Sequence, residues 1–226
     1  MENDKSSRRR QLEQMALPVA GAGKLAETLR RQNIYRAAQT IFVSPAPLLQ
    51  QVRINALLDG KVLLMPGPGL KDGFYRLQPY SLSFKELGHA VTFKGLASRA
   101  TLLDQAALAD LHVDLALTDC LAVDASGARL GHGTGFFDLA MAILAEMGAV
   151  GEEALFVALG WPEQLVADAL KQDPWDVRMN FFCHQHGLQE LAAGRQQPAV
   201  RWENLETRRI RKIELLWRLS QARFPA

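Results

Sequence analysis

The ten residues Arg129-Leu130-Gly131-His132-Gly133-Thr134-Gly135-Phe136-Phe137-Asp138 bring together a guanidinium, three glycines, an imidazole, a hydroxyl and a carboxylate. Their order, a glycine turn after a strand and before a helix, suits phosphate binding. Glycine lets the main chain take positive φ and come close to a ligand, and the start of the helix offers unpaired N–H groups with a partial positive charge. Arg129 adds a fixed cation with a forked set of donors, and Asp138 supplies a hard oxygen of the kind that holds Mg²⁺. The spacing Gly131-x-Gly133-x-Gly135 is neither the dinucleotide fingerprint nor a P-loop with its Gly-Lys-Ser/Thr ending.

Each of these residues also has a plainer use. Three glycines can serve a purely structural turn. Asp138 can complement a helix dipole, a contribution of roughly 0.3 to 1 kcal/mol, and an arginine outside this context is most often solvated. His132 either hydrogen-bonds a phosphate or points to solvent. The placement of Arg129 and Asp138 on either side of the glycines favours the functional alternative.

Two other groups carry chemistry. Cys183-His184-Gln185-His186 gathers three possible metal ligands, but structural zinc sites draw on two separated pairs and no second pair exists in the sequence. Arg208, Arg209, Arg211 and Lys212 form a basic cluster that could meet nucleic-acid phosphates. Its plainer reading is a solvated helix face with ion pairs to Glu203, Glu206 and Glu214, and no RNA-binding aromatic signature accompanies it.

A chain of 226 residues with 48% hydrophobic content can bury a full core, and 26 Lys+Arg against 24 Asp+Glu leave a net charge of +2, too small to argue for nucleic acid. Two cysteines are too few for a disulfide framework. No apolar run approaches the roughly 20 residues that cross a bilayer, and Met1 to Gln14 lacks the apolar stretch of a secretory signal. The expected setting is the cytoplasm, with no membrane partner.

The elements that must position the glycine segment follow from apolar spacing. Residues 1–20 are expected to form a charged N-terminal extension, a solvated tail or frayed helix through Arg8, Arg9 and Arg10. Residues 21–200 are expected to form one α/β domain, and 201–226 a C-terminal helix packed on it. Within the domain, Gly21 to Gln32 is predicted as a surface helix, Thr40 to Val43 as a strand, Leu48 to Leu57 as a helix stopped by Gly60, and Lys61 to Met65 as a second strand. Short strands and irregular structure are expected around Tyr75 to Ser83 and His89 to Phe93, and a helix over Leu102 to Leu111. Val113 to Val123 is predicted as one buried central strand, and Phe136 to Met147 as a helix with one apolar face of Phe137, Met141, Leu144 and Val150. Ala154 to Leu159 is predicted as a strand, Pro162 to Leu170 as a helix and Val177 to Phe182 as a last strand. Strands alternating with helices imply an α/β fold with a largely parallel sheet covered on both faces.

The segment Asp124 through Asp138 resembles the 5-formyltetrahydrofolate cyclo-ligase family, also called methenyltetrahydrofolate synthetases, which carry an acid, a turn, then Arg-Leu-Gly-x-Gly-x-Gly-aromatic-aromatic-Asp. The likeness extends more weakly over Val113 to Val123, Asp176 to Phe182 and Lys61 to Pro66. It implies a three-layer α/β/α sandwich and ATP-dependent closure of 5-formyltetrahydrofolate to 5,10-methenyltetrahydrofolate, with ADP and phosphate released. It also implies that Arg129, Gly131, His132, Gly133, Thr134, Gly135 and Phe137 hold the nucleotide, that Arg129 acts in catalysis, and that Asp138 places Mg²⁺. A reduced folate or analogue is the implied small-molecule partner.

The sequence departs from the family on the substrate side. Where members carry two tyrosines, Asp and Arg, this chain has Phe136-Phe137-Asp138-Leu139. The loop Ser44 to Gln51 has no acid where members place a folate-holding Glu, and Trp175-Asp176, Asn180 and Cys183 replace other family residues. No role is carried over to Lys5, Arg8 or Arg9. Gln50-Gln51-Val52-Arg53, the loop Pro66 to Gly73 and the tail Pro198 to Trp202 are similar to a divergent, cyclo-ligase-like branch, the methenyltetrahydrofolate synthase domain-containing proteins. The alternative implied is a nucleotide- or folate-binding protein that has lost ring closure.

Overall fold

The computed structural model describes residues 5–13 and 21–224; residues 1–4 and 14–20 of the expected extension, and the last two residues, lie outside the described residues. Helices α1 (Lys5–Glu13), α2 (Ala22–Arg30) and α3 (Asn33–Ala37) precede strand β1 (Thr40–Val43). Helix α4 (Gln50–Leu58) leads to β2 (Val62–Pro66) and β3 (Phe74–Leu77), followed by α5 (Phe84–Ala90), α6 (Phe93–Arg99), β4 (Thr101–Leu102) and α7 (Gln105–Ala109). Next come β5 (Leu115–Asp119), β6 (Ala122–Asp124), β7 (Arg129–Leu130), α8 (Phe136–Glu146), β8 (Leu155–Leu159) and β9 (Leu165–Val166). The hairpin β10 (Phe181–His184) and β11 (Gly187–Glu190) and the helices α9 (Thr207–Lys212) and α10 (Glu214–Arg223) complete the chain.

Eight strands form one sheet in the order β11-β10-β8-β5-β1-β2-β3-β4. The five central strands run parallel, and antiparallel partners close both edges. Near-continuous aliphatic runs such as Thr40-Ile41-Phe42-Val43 suit strands buried on both faces. Alternate side chains go to opposite layers: Phe42, Leu64, Ala116, Phe156 and Phe182 meet α8 and α10, whereas Ile41, Leu63, Leu115, Val157 and Cys183 meet α2 and α4. The result is an α/β fold of three layers with a mostly parallel mixed sheet.

Several expectations are corrected. The segment 113–123 is two strands: β5 joins the main sheet, while β6 pairs with β7 and β9 in a small second sheet. Pro162 to Leu170 is a single 3-10 turn followed by β9, because Gln164 turns back to cap the N–H of Trp161 at 2.7 Å. Helix α8 shows no single apolar face; every residue from Phe137 to Leu144 is buried, as in a helix enclosed by the core. Of the short strands and irregular structure expected around Tyr75 to Ser83 and His89 to Phe93, β3 enters the first range and 78–83 is irregular, whereas the second range spans the end of α5 and the start of α6 and holds no strand. Ser83 and Glu86 form a capping box that starts α5, and Thr92 caps α6.

Candidate anion-binding cleft

A cleft of about 710 Å³ opens at the C-terminal ends of β1 and β5, the edge where parallel sheets place ligands. The loop Ser44 to Pro47 after β1 forms one wall, and Thr118 and Asp119 end β5 on its floor. The turn 131–135 and the start of α8 form the opposite wall, with residues from α1, the 171–176 loop and α9 around the rim. Arg53 holds the first wall from behind, its Nη1 donating to the carbonyls of Ser44 at 2.6 Å and Ala46 at 3.1 Å. Burial lowers that guanidinium to about 10, still charged at neutral pH.

The glycine segment sits where the sequence reading put it, between β7 and α8. Gly135 is the N-cap of α8 at φ 62, a left-handed conformation that costs glycine little. At Gly131 a Cβ would stand 2.5 Å from Arg129 Nη1, so the turn lies directly on that guanidinium. Among the described residues, no main-chain N–H from 131 to 135 donates to a protein acceptor. Two of the turn's carbonyls are bonded by cations that line the cleft: Gly131 O accepts from Arg9 Nε at 2.9 Å and Thr134 O from Arg209 Nη2 at 2.8 Å.

Arg129 is a buried support beneath the turn, not a free cation. Its Nη2 donates to both carboxylate oxygens of Asp138 at 3.0 and 2.9 Å, with side-chain exposures of 7% and 10%. Burial opposes the charge, and the Asp138 carboxylate outweighs it and keeps the guanidinium protonated. Asp138 Oδ1 also accepts from the N–H of Val177 at 3.0 Å. Phe137 is buried with Arg129 Cζ 5.0 Å from its ring and Phe42 edge-on at 6.0 Å. Phe136, by contrast, is 40% exposed at the cleft wall.

The carboxylates of the cleft are engaged. Asp138 holds Arg129, Asp119 Oδ2 lies 3.1 Å from His132 Nε2, and Lys5 bridges Asp173 at 2.6 Å and Asp176 at 2.5 Å. No group of three His, Cys, Asp or Glu side chains able to hold a metal occurs among the described residues. Asp138, the carboxylate expected to place Mg²⁺, accepts from Arg129 and from the N–H of Val177 in this structure. Three cations around the turn, Arg9, Lys171 and Arg209, have no carboxylate partner among the described residues. Backbone donors plus unpaired cations make a receptor for a polyanion.

His132 faces Asp119 across the cleft, and the hydrogen bond to Asp119 raises its pKa above the ordinary value. It thus carries positive charge over a wider pH range than a free imidazole.

The sequence reading assigned no roles to Lys5, Arg9, Asp119 or Lys171, and weighed Arg209 only as part of the basic cluster at 208–212. Lys5 and Arg9 stand four apart, one helical turn, which puts them on one face of α1; that spacing was the available signal. The expected tail is a helix over Lys5–Glu13 whose charges engage the body, including Arg8 with Asp168 at 3.3 Å. Asp119 ends a central strand, a position that marks functional residues in such sheets. The basic cluster at 208–212 is not one face: Arg209 turns to the cleft, and Arg208, Arg211 and Lys212 are exposed. The triplet at Cys183 separates too, with the thiol buried in the core and the rings of His184 and His186 edge-on at 5.8 Å.

Comparison with known proteins agrees with the fold. The model of the 5-formyltetrahydrofolate cyclo-ligase family matches residues 3–185. A methenyltetrahydrofolate synthase domain-containing protein of Bos taurus is 29% identical over 203 residues, covering 87% of this chain and 52% of the relative. The Homo sapiens protein of the same name is 26% identical over 208 residues, again covering 87% and 52%. The chain thus spans about half the length of the curated relatives it matches. The NMR structure of Aquifex aeolicus 5,10-methenyltetrahydrofolate synthetase superposes with a TM-score of 0.55 at 16% identity, over 88% of this chain and 99% of that one. No helix among the described residues is long and apolar enough to cross a membrane.

Proposed function

We propose, from the premise that the chain belongs to the 5-formyltetrahydrofolate cyclo-ligase family, that its cleft binds ATP through the polyphosphate and serves ATP-dependent ring closure of a formylated reduced folate or a related small molecule. One observation carries this reading: the unpaired amides of residues 131–135 lie among three cations that have no carboxylate partner among the described residues. The cytoplasm is the corresponding proposed setting.

In this reaction the formyl oxygen takes the γ-phosphoryl group as ADP leaves, the neighbouring secondary amine of the folate attacks the formyl carbon and loses its proton, and phosphate departs with the former formyl oxygen. The phosphoryl group supplies the leaving group. The chain's own residues position and neutralise. The amides of Gly131, His132, Gly133, Thr134 and Gly135 donate to phosphate oxygens, and Arg9 and Lys171 balance their charge at the rim. Arg129 acts through the turn: paired with Asp138 and packed on Phe137, it fixes the backbone that presents those amides. No step is assigned to a protein-held metal ion.

The substrate side favours a second reading. Phe136 and Phe137 bring no hydroxyl, and the wall Ser44 to Pro47 brings no carboxylate. A nucleotide-binding protein without ring closure shares the same cradle. Incubating the purified chain with Mg-ATP and 5-formyltetrahydrofolate separates the two: growth of the methenyl product's near-ultraviolet absorbance supports catalysis. A flat trace at high protein concentration leaves binding alone.

A further inference from the structure

The family match ends at residue 185, yet the chain beyond it returns to the cleft. Leu215 and Leu216 of α10 are buried in the same cluster as Met141, Ile143 and Leu144 of α8, and the N–H of Glu214 donates to Lys71 O at 3.1 Å. Ile213, which joins α9 to α10, is 2% exposed. The position of α9 is therefore set by core packing and not by its own charges.

From that position one of four clustered cations points inward. Arg209 Nη2 donates to Thr134 O at 2.8 Å, and Arg209 Cζ lies 5.5 Å from the ring of exposed Phe136. No carboxylate is paired with it among the described residues; Glu214, the next acid after it in sequence, pairs with Arg218 at 2.8 Å. A guanidinium has five N–H donors, and this contact occupies one. Nothing in the first turn of α8 supplies a free positive charge: Phe136, Phe137 and Leu139 are apolar and Asp138 is neutralised by Arg129.

We infer that Arg209 is a phosphate-binding residue of the cleft, supplied by a segment outside the family-matched region. This rests on the polyphosphate reading above. The bond to Thr134 O and the ring of Phe136 hold the guanidinium beside the free amides of the turn, so that an anion seated there meets backbone dipoles and a formal charge together. The C-terminal segment is on this inference part of the binding site. A chain cut before α9 would lose the charge and also uncover Ile213, Leu215 and Leu216, so point variants make the cleaner test.

The experiment is calorimetric titration of the full chain with sodium tripolyphosphate and with ATP, for the unmodified protein and for Arg209→Gln, Arg209→Lys, Arg211→Gln and Arg9→Gln. Gln removes the charge and leaves an uncharged N–H donor on a shorter side chain. The expected result is about tenfold or more weaker binding for Arg209→Gln, partial recovery with Arg209→Lys, no change for Arg211→Gln, and an unliganded melting midpoint that stays put in all of them. If Arg209→Gln binds as the unmodified chain does while Arg9→Gln weakens, the cradle stands and Arg209 is only a clamp on a carbonyl. Equal weakening by Arg209→Gln and Arg211→Gln reduces the effect to the general field of the surface and overturns the assignment. If the unmodified chain takes up neither probe, the polyphosphate reading fails and takes this inference with it.

Discussion

Arg129 and Asp138, nine residues apart, face each other from β7 and the first turn of α8 as a buried pair, one guanidinium nitrogen lying 3.0 and 2.9 Å from the two carboxylate oxygens. This bond ties the strand before the glycine turn to the helix after it. The turn's shape therefore depends on a contact beneath it, and its amides make no hydrogen bond to the protein among the described residues.

Breaking this pair should be costly, because removing one member leaves the other charged and buried. Asp138→Ala is expected to lower the unfolding free energy by about 3 kcal/mol, measured by urea denaturation without ligand. Loss of less than about 0.5 kcal/mol, the range of ordinary surface substitutions, would mean that Arg129 finds another partner or water and that the pair does not hold the turn.

The strand, glycine turn and helix at 129–146 were legible in the sequence because three local signals coincide: aliphatic residues before the turn, positive-φ glycines in it and a long apolar run after it. The parallel centre of the sheet was legible for the same reason, through runs such as Thr40 to Val43. The helices α5 and α6 were missed although Ser83 and Glu86 spell a capping box, since the surrounding serines and aromatics gave no clear helical period. The break between β5 and β6 at Cys120 and Leu121 carries no local mark. Those two residues are apolar like Ala122 and Val123 after them, and it is pairing with β7 and β9 that draws the chain into the second sheet. The site was legible for the glycine turn alone: Lys5, Lys171 and Arg209 arrive from distant segments, and a role that depends on tertiary placement has no sequence period.

Arg9 and Lys171 test the rim. Each substituted by Ala should weaken ATP binding about tenfold, the size of one lost charge-assisted hydrogen bond, and should reduce the ATP-dependent rise in melting temperature in proportion. An undiminished rise in both variants would place the nucleotide elsewhere.

His132 should make anion binding depend on pH. Its pKa is raised in the fold by Asp119, so the protonated form, and any stability drawn from the pair, is fully present below the unfolded value of about 6.5 and is lost as pH rises through the folded value. The affinity difference between the unmodified chain and His132→Gln should shrink over that rise, a comparison in which titration of the nucleotide's own phosphates cancels. A difference that is flat from pH 6 to pH 9 contradicts a charged His132 at the site.

The C-terminal helix should matter to the whole domain. Leu216 is 0% exposed against α8, so Leu216→Ala is expected to cost about 3 kcal/mol from lost burial and the cavity left behind. Chemical denaturation followed by tryptophan fluorescence reads it. A second, independent low-stability transition instead of one shifted curve would show that α10 unfolds apart from the body.

The central claim is that an anion is seated on the backbone amides of residues 131–135. Titrating ¹⁵N-labelled chain with ATP tests this amide by amide. The largest shifts are predicted at Gly131 through Gly135, saturating together and weakened in parallel by Arg9→Ala. Saturable ATP binding that leaves those five amides unmoved would contradict it.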